Sequence, residues 1–149
     1  MIQSLKHDQL SLTRGPAQAF FEESGIDGVL NFEHFCAAWG HLIGLDIASI
    51  MLYFDSNHEP LGIIGGTVTP CTMTGQPIAM ECFWWVAPHL RRKSPAGLNL
   101  LRKWEHWAKE KGAVRIYVGN LYRLNDQAMR ELYQRLGYSP LEIHYVKTL

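Results

Sequence analysis

A cluster of basic residues stands immediately before a predicted helix, and this combination suits the binding of an anion. Arg91, Arg92 and Lys93 supply positive charge. Ser94 is of a type that caps helices, and Pro95 suits the first helical position, where its missing N–H removes only a donor without an intrahelical acceptor. The helix dipole adds partial positive charge at the same place. The sequence therefore predicts a site for a pyrophosphate or a similar anion.

The first residues of that helix add hydrogen-bond donors and access. The N–H groups of Ala96 and Gly97 are predicted to point out of the helix start, where they have no acceptor within the helix. Gly97 lets a ligand approach the backbone closely because it carries no side chain. The alternative is a solvated basic loop without a ligand. We favour the anion site because charge, donors and access meet at one point.

The residues around this loop resemble the acetyl-CoA-binding motif of the GNAT acetyltransferases. The family motif consists of V-x-P, then Q/R-x-x-G-x-G/A, then a helix with paired leucines. This chain has a similar order: Val86-Ala87-Pro88, then Arg92-x-x-x-x-Gly97, then a pair of leucines. A second set resembles the family signature N…A…Y-x-x-[LF]-G-[FY]; it comprises Asn125, Ala128, Tyr133, Leu136, Gly137 and Tyr138. The resemblance covers residues 45–149 well, and the pattern is similar to the compact GNAT proteins of phages and bacteria.

The resemblance implies roles for further residues. Val86 would offer backbone groups to the pantetheine arm of acetyl-CoA, and Tyr133 would act as a general acid near the CoA sulfur. Glu81 lies where several members carry the general base that takes a proton from the amine, often through water. Its neighbours in the strand are mostly apolar, and desolvation raises the pKa of a carboxyl group. The cofactor-binding residues are then Val86, Arg91, Arg92, Lys93, Ser94, Ala96, Gly97, Leu98 and Asn125.

Structural alternatives remain open for the two catalytic candidates. Glu81 could be an outward-facing strand residue or the partner of a structural arginine. Tyr133 lies on the apolar stripe of a predicted helix, where a tyrosine is often part of the core. The motif also departs from the family at Pro95, which replaces the first loop glycine and cannot donate a hydrogen bond to a phosphate.

Apolar patterning predicts the elements that position these residues. One helix is expected from Thr13 to Ser24, and a second from the N-cap residue Asn31 to Gly44. The pattern of the first ten residues does not decide whether they form a strand. Three strands of an antiparallel meander follow at residues 47–54, 61–69 and 78–86.

The second half of the chain reads as strand–helix–strand units. A helix is expected from Pro95 to about Lys111, a strand at 114–118, a helix from about Asn125 to Leu136, and a last strand at about Leu141 to Lys147. The prediction is one α/β (α+β) domain over residues 1–149. It would have the GNAT acyl-CoA N-acyltransferase fold, with a central mixed, mostly antiparallel, twisted sheet and helices on both faces.

Composition excludes several classes of protein. The chain is 47% hydrophobic, which is enough for a core, and 14 basic residues balance 14 acidic ones, which argues against a nucleic-acid binder. His34 and His41 would be about 10 Å apart on one helix, too far for one metal ion, so no metal is expected. Three dispersed cysteines, no signal-peptide pattern and no membrane-length apolar run indicate a cytoplasmic protein with reduced thiols.

The expected function follows from the resemblance. The chain would transfer an acetyl group from acetyl-CoA to a primary amine of a small molecule or protein by direct attack. The alternative is a GNAT-fold protein without turnover that acts as a binding or structural protein, for example a phage-associated one. A homodimer is left open.

Overall fold

The computed structural model describes residues 1–121 and 126–149. They form two compact units, Met1–Gly119 and Asn120–Leu149. The first unit contains five strands and three α-helices: β1 (Ile2–Ser4), α1 (Arg14–Ser24), α2 (Phe32–Gly44), β2 (Ala48–Phe54), β3 (Pro60–Pro70), β4 (Pro77–Val86), α3 (Ala96–Glu110) and β5 (Arg115–Tyr117). Two 3₁₀ helices, His7–Thr13 and Pro88–Leu90, precede α1 and α3.

The sheet runs in the order β1-β2-β3-β4-β5. Neighbours from β1 to β4 pair antiparallel, whereas β4 and β5 pair in parallel. A parallel pair needs a crossover, and α3 provides it. The predicted meander and the strand–helix–strand unit are therefore confirmed, as is the mixed, mostly antiparallel sheet.

The beginning of the chain does contain a strand, which the sequence left undecided. Ile2 to Ser4 pair with Met51 to Tyr53 of β2, so β1 forms an edge of the sheet. The first two predicted helices are also confirmed. The C-cap of α1 is Gly25 at a φ of 75°, and the Asn31 side chain caps α2 by accepting a hydrogen bond from the His34 N–H at 2.9 Å.

Helices cover both faces of the sheet, and two neighbouring glycines of β3 show how. A Cβ atom on Gly65 would lie 2.2 Å from the ring of Phe83, which packs with α1 and α2. A Cβ atom on Gly66 would lie 2.4 Å from Trp104 of α3. Successive residues of a strand face opposite sides, so α1 and α2 lie on one face and α3 on the other.

Apolar burial on both faces holds this arrangement together. The face under α1 and α2 is filled by buried residues from the 3₁₀ helix and from β2 to β4, with partly buried aromatic residues of the helices packed against them. On the other face α3 buries Leu100, Leu101, Trp104 and Ala108 completely. These four residues recur at helical spacing, and their burial is the main stabilising contribution of the helix.

The second unit contains α4 (Asp126–Arg135), which ends in a turn at Gly137 with a φ of 89°. The strand predicted at about Leu141 to Lys147 is wrong, because residues 139–149 form no strand in the structure. Their alternating apolar pattern is real, yet Leu141, Ile143 and Tyr145 are 72%, 72% and 91% exposed. A strand requires hydrogen-bonding partners as well as a pattern. The single domain over residues 1–149 stays a prediction.

Candidate active site

Strand β4 carries an extra residue beside Glu81. Gly65 of β3 pairs with Phe83, and the next residue, Gly66, pairs with Glu81, so Cys82 has no opposite residue in the register. Such a bulge changes the direction of the strand and redirects the side chains near it. The two adjacent glycines of β3 were visible in the sequence, where they indicated a twisted or closely approached strand.

Glu81 also lies where β4 and β5 stop pairing. The parallel register ends at Met80 and Tyr117, while β4 continues to Val86. The Glu81 side chain spans the gap between the separating strands, and its Oε2 accepts a hydrogen bond from the backbone N–H of Gly119 at 3.0 Å. Gly119 was not among the residues predicted from the sequence, and no sequence pattern marks it.

The surroundings of Glu81 make its carboxyl group a weaker acid than an ordinary glutamic acid side chain. Burial raises the pKa of Glu81 to about 7, although the hydrogen bond from Gly119 lowers it in part. The Cys82 side chain reaches solvent, yet burial by its surroundings and the negative charge of Glu81 raise the pKa of the Cys82 thiol to about 11. At neutral pH the site therefore holds a carboxyl group that can exchange a proton, beside a thiol that stays protonated.

The predicted anion loop leaves β4 through a tight turn. The Leu90 N–H donates to Ala87 O at 2.9 Å, and the Ser94 N–H donates to Leu90 O at 3.0 Å. Arg92 and Lys93 are exposed, and Arg92 has a φ of 62°, which is uncommon for a residue with a side chain. The backbone is thus bent sharply at Arg92, just before the helix.

The start of α3 differs by one residue from the prediction. Pro95 occupies the N-cap position and not the first helical position, and α3 begins at Ala96. Ser94 still caps the helix from one residue farther out, because its Oγ accepts the Ala96 N–H at 3.1 Å. The Asn99 N–H bonds to Pro95 O at 2.8 Å, so the donors left at the helix start are those of Gly97 and Leu98.

Gly97 lies against the strand. A Cβ atom on Gly97 would stand 3.3 Å from Val86 Cγ2 and 3.5 Å from the ring of Trp84. The absence of a side chain therefore lets the helix start approach the end of β4. As a result, the Gly97 N–H and the last residues of β4 belong to one small region.

Arg91 has protein partners. Its Nη2 donates to both carboxylate oxygens of Glu23 in α1, at 2.9 and 2.7 Å, and its Nε donates to Val86 O at 2.8 Å. The Trp85 indole N–H donates to Glu23 Oε1 at 2.9 Å. Sequence reasoning missed Glu23 because nothing in the pattern of α1 distinguishes it from the neighbouring Glu22.

The remaining predicted residues belong to the second part of the chain. Tyr133 is a buried residue of α4, and its ring meets that of Tyr138 edge-on at a centroid distance of 5.5 Å. Its catalytic role stays a prediction. Asn125 lies outside the described residues.

Two general features concern the described part of the chain. None of its helices is long and apolar enough to cross a membrane. Nor do the described residues bring together three or more His, Cys, Asp or Glu side chains in a metal-binding arrangement.

Comparison with known proteins gives one family match and many similar structures. Residues 18–138 match the model described as the acetyltransferase (GNAT) family. A search of curated protein sequences found no match.

Three of the similar solved structures illustrate the likeness, and each covers 100% of this chain. An aminoglycoside acetyltransferase from an uncultured soil metagenomic sample, in complex with sisomicin, is 18% identical over 95% of its length, with a TM-score of 0.75. AAC(6')-Iy, in complex with a bisubstrate CoA analogue, is 16% identical over 98% of its length, with a TM-score of 0.74. The ribosomal-protein-alanine N-acetyltransferase from Brucella melitensis biovar Abortus 2308 is 14% identical over 99% of its length, with a TM-score of 0.72. At these identities the likeness shows the fold.

Proposed function

The chain belongs to the GNAT family of acetyltransferases, and from that premise we propose that it transfers an acetyl group from acetyl-CoA to a primary amine by direct attack, with Glu81 as the general base. The observation that supports this most is the position of Glu81. It combines a pKa of about 7 with a location at the bulge, where β4 and β5 part.

Acetyl-CoA would bind along the end of β4 and at the start of α3. Beyond Met80, β4 no longer pairs with β5, so an extended pantetheine arm would hydrogen-bond to the main chain as far as Val86. The pyrophosphate would meet the N–H groups of Gly97 and Leu98 and the exposed side chains of Arg92 and Lys93. In this proposed mode of binding, the thioester would lie near Glu81.

Glu81 would prepare the acceptor for attack. A primary amine is protonated at neutral pH and becomes a nucleophile only after it loses a proton. A carboxylate with a pKa of about 7 takes that proton at neutral pH better than an ordinary carboxylate does. The amine nitrogen then forms a bond to the acetyl carbon, the bond to the CoA sulfur breaks, and the leaving thiolate receives a proton, for which Tyr133 is the proposed donor.

The thiol of Cys82 supports direct attack over a covalent acetyl-enzyme. A nucleophilic cysteine is needed as a thiolate, and such residues have a lowered pKa. The pKa of Cys82 is raised to about 11, so the thiol beside Glu81 is a poor nucleophile.

The test combines binding with turnover. Isothermal titration of the protein with acetyl-CoA is expected to show binding that weakens in Arg92→Ala. Release of free CoA thiol is then followed with a panel of amines that includes an aminoglycoside, because similar folds carry such ligands, and a peptide with an N-terminal alanine. Acetylation of one class, lost in Glu81→Gln, supports the proposal. Binding without turnover on any amine would favour the non-catalytic alternative, and absence of binding would overturn the proposal.

A further inference from the structure

We propose that Glu23 is a positioning residue, which holds Arg91 so that the loop of residues 91–95 keeps the shape needed to bind the CoA pyrophosphate. This inference rests on the proposed function, because it concerns the same anion loop. It differs from the prediction made from the sequence, in which Arg91 itself touches the phosphate. In the structure Arg91 joins the loop to α1.

The carboxylate of Glu23 receives hydrogen bonds from two sides. Arg91 Nη2 donates to both of its oxygens, and the Trp85 indole N–H donates to Oε1. The ion pair is partly shielded, since the side chains of Arg91 and Glu23 are 37% and 25% exposed. Charge-assisted hydrogen bonds are stronger than neutral ones, and a carboxylate that accepts several of them is held in one orientation.

Arg91, held in this way by Glu23, also fixes the start of the loop. Its Nε donates to Val86 O, the carbonyl of the last residue of β4, so one guanidinium connects the end of the strand to α1. The next residue, Arg92, adopts the uncommon φ of 62°. A strained residue persists only where its surroundings hold it. The clamp, defined here as Glu23, Trp85 and Arg91, lies directly before this bend.

The helix that carries Glu23 is itself fixed on the sheet. Phe20, one turn before Glu23, packs against Phe83 of β4 with ring centroids 5.9 Å apart. Glu23 is therefore presented from a rigid element to Arg91, the first residue of the loop. Because its negative charge is neutralised by Arg91, the positive charges of Arg92 and Lys93 remain for the anion.

The chain offers a matched control next to Glu23. Glu22 is also on α1, but its carboxylate accepts a hydrogen bond from the exposed Gln18 side chain at 2.9 Å. Glu22→Gln and Glu23→Gln remove the same charge from adjacent positions. They should differ only if the clamp matters to the loop.

The first measurement is the affinity for acetyl-CoA. Glu23→Gln is expected to weaken binding about tenfold, as the loss of a charge-assisted contact would, whereas Glu22→Gln leaves it unchanged. In steady state the KM for acetyl-CoA rises by a similar factor, while kcat changes less than about threefold. In an Arg91→Met background, Glu23→Gln has no further effect, because the pair acts as one unit.

The second measurement needs no ligand. Trypsin cuts after Arg and Lys, and Arg92 and Lys93 are exposed within the loop. In the ligand-free protein, Glu23→Gln is expected to speed cleavage after these two residues about fivefold or more, with cleavage elsewhere unchanged, because only the loop opens.

The two measurements separate the inference from the proposed function. If the native protein does not bind acetyl-CoA, the proposed function fails, and the cleavage pattern still decides whether the clamp orders the loop. An unchanged rate of loop cleavage in Glu23→Gln would overturn the inference. Equal acceleration at all sites would overturn it too, since it would mean that Glu23 stabilises the whole fold and not this loop.

Discussion

The Glu81 carboxylate accepts a hydrogen bond from the Gly119 N–H at 3.0 Å, across the point where β4 and β5 separate. This contact holds one carboxylate oxygen in place. It also lowers the pKa of a group whose burial raises it. Glu81 therefore has a set position and a pKa of about 7, which are the two requirements for a general base.

The activity of the native enzyme is expected to rise with pH through about 7, because Glu81 must be ionised to take a proton from the amine. Glu81→Gln should lower kcat/KM for the amine by about 10²–10⁴ and remove this inflection. The measurement is a pH profile of CoA release, with Glu22→Gln as the control variant. An inflection near 7 that persists in Glu81→Gln would assign the base to another residue.

The stability of the protein should depend on the same group. The pKa of Glu81 is raised from 4.5 to about 7 on folding, so the folded state binds the proton more tightly than the unfolded chain. Stability therefore falls as pH rises through this window, and it stays low above it. Gln cannot ionise and can still accept the Gly119 N–H.

The free energy of unfolding of Glu81→Gln, relative to the native protein, is then expected to increase by about 1–2 kcal/mol between about pH 5 and pH 8. The figure is below the full value of the pKa shift because Glu81 is only half-buried. Urea denaturation at the two pH values measures it. A constant difference between the two proteins would contradict the raised pKa.

Substitutions at Arg92 separate its charge from its backbone conformation. Arg92→Ala and Arg92→Gly should both weaken acetyl-CoA binding about 5- to 20-fold, because both remove the cation. Gly adopts a φ of 62° without strain, so Arg92→Gly should be more stable than Arg92→Ala by about 0.5–1 kcal/mol.

Lys93 is the control position, since it is exposed and has no positive φ. There the order should reverse, with Lys93→Gly less stable than Lys93→Ala. Urea unfolding of the four variants tests both orders. Equal stability of the two Arg92 variants would mean that the bend at Arg92 is not strained.

Gly66 should not tolerate a side chain. A Cβ atom there would stand 2.3 Å from Met80 O and 2.4 Å from the buried Trp104 ring, so strand or helix must shift. Gly66→Ala is expected to lower the free energy of unfolding by about 2–3 kcal/mol. The control is Gly15→Ala in α1, where nothing lies within 4 Å of the added atom.

Gly15→Ala should be neutral or stabilise the protein by about 0.5–1 kcal/mol, since Ala favours the helix. Thermal or urea unfolding measures both variants. If Gly66→Ala were as stable as Gly15→Ala, α3 would not pack as closely on β3 as the structure shows.

The helix start and the environment of Glu81 could be predicted from the sequence because their signals are local. A basic run, Ser94 and Pro95 before an amphipathic stretch indicate a helix start, and the helix does begin there, one residue later. Glu81 stands out as the one carboxylate in an apolar strand, and its raised pKa agrees with that environment. The strand predicted at about Leu141 to Lys147 failed because its pattern says nothing about a partner.

The sequence by itself determined the types and order of most elements, the position of the basic loop before α3 and the resemblance to a family. These depend on periodicity and on capping residues, which act over a few positions. Only the tertiary structure decided that Glu81 accepts a hydrogen bond from Gly119 and that Arg91 donates to Glu23, a residue 68 positions away in the chain. Such contacts depend on how α1 and β5 pack on β4, and packing joins residues whose separation in sequence carries no periodic signal.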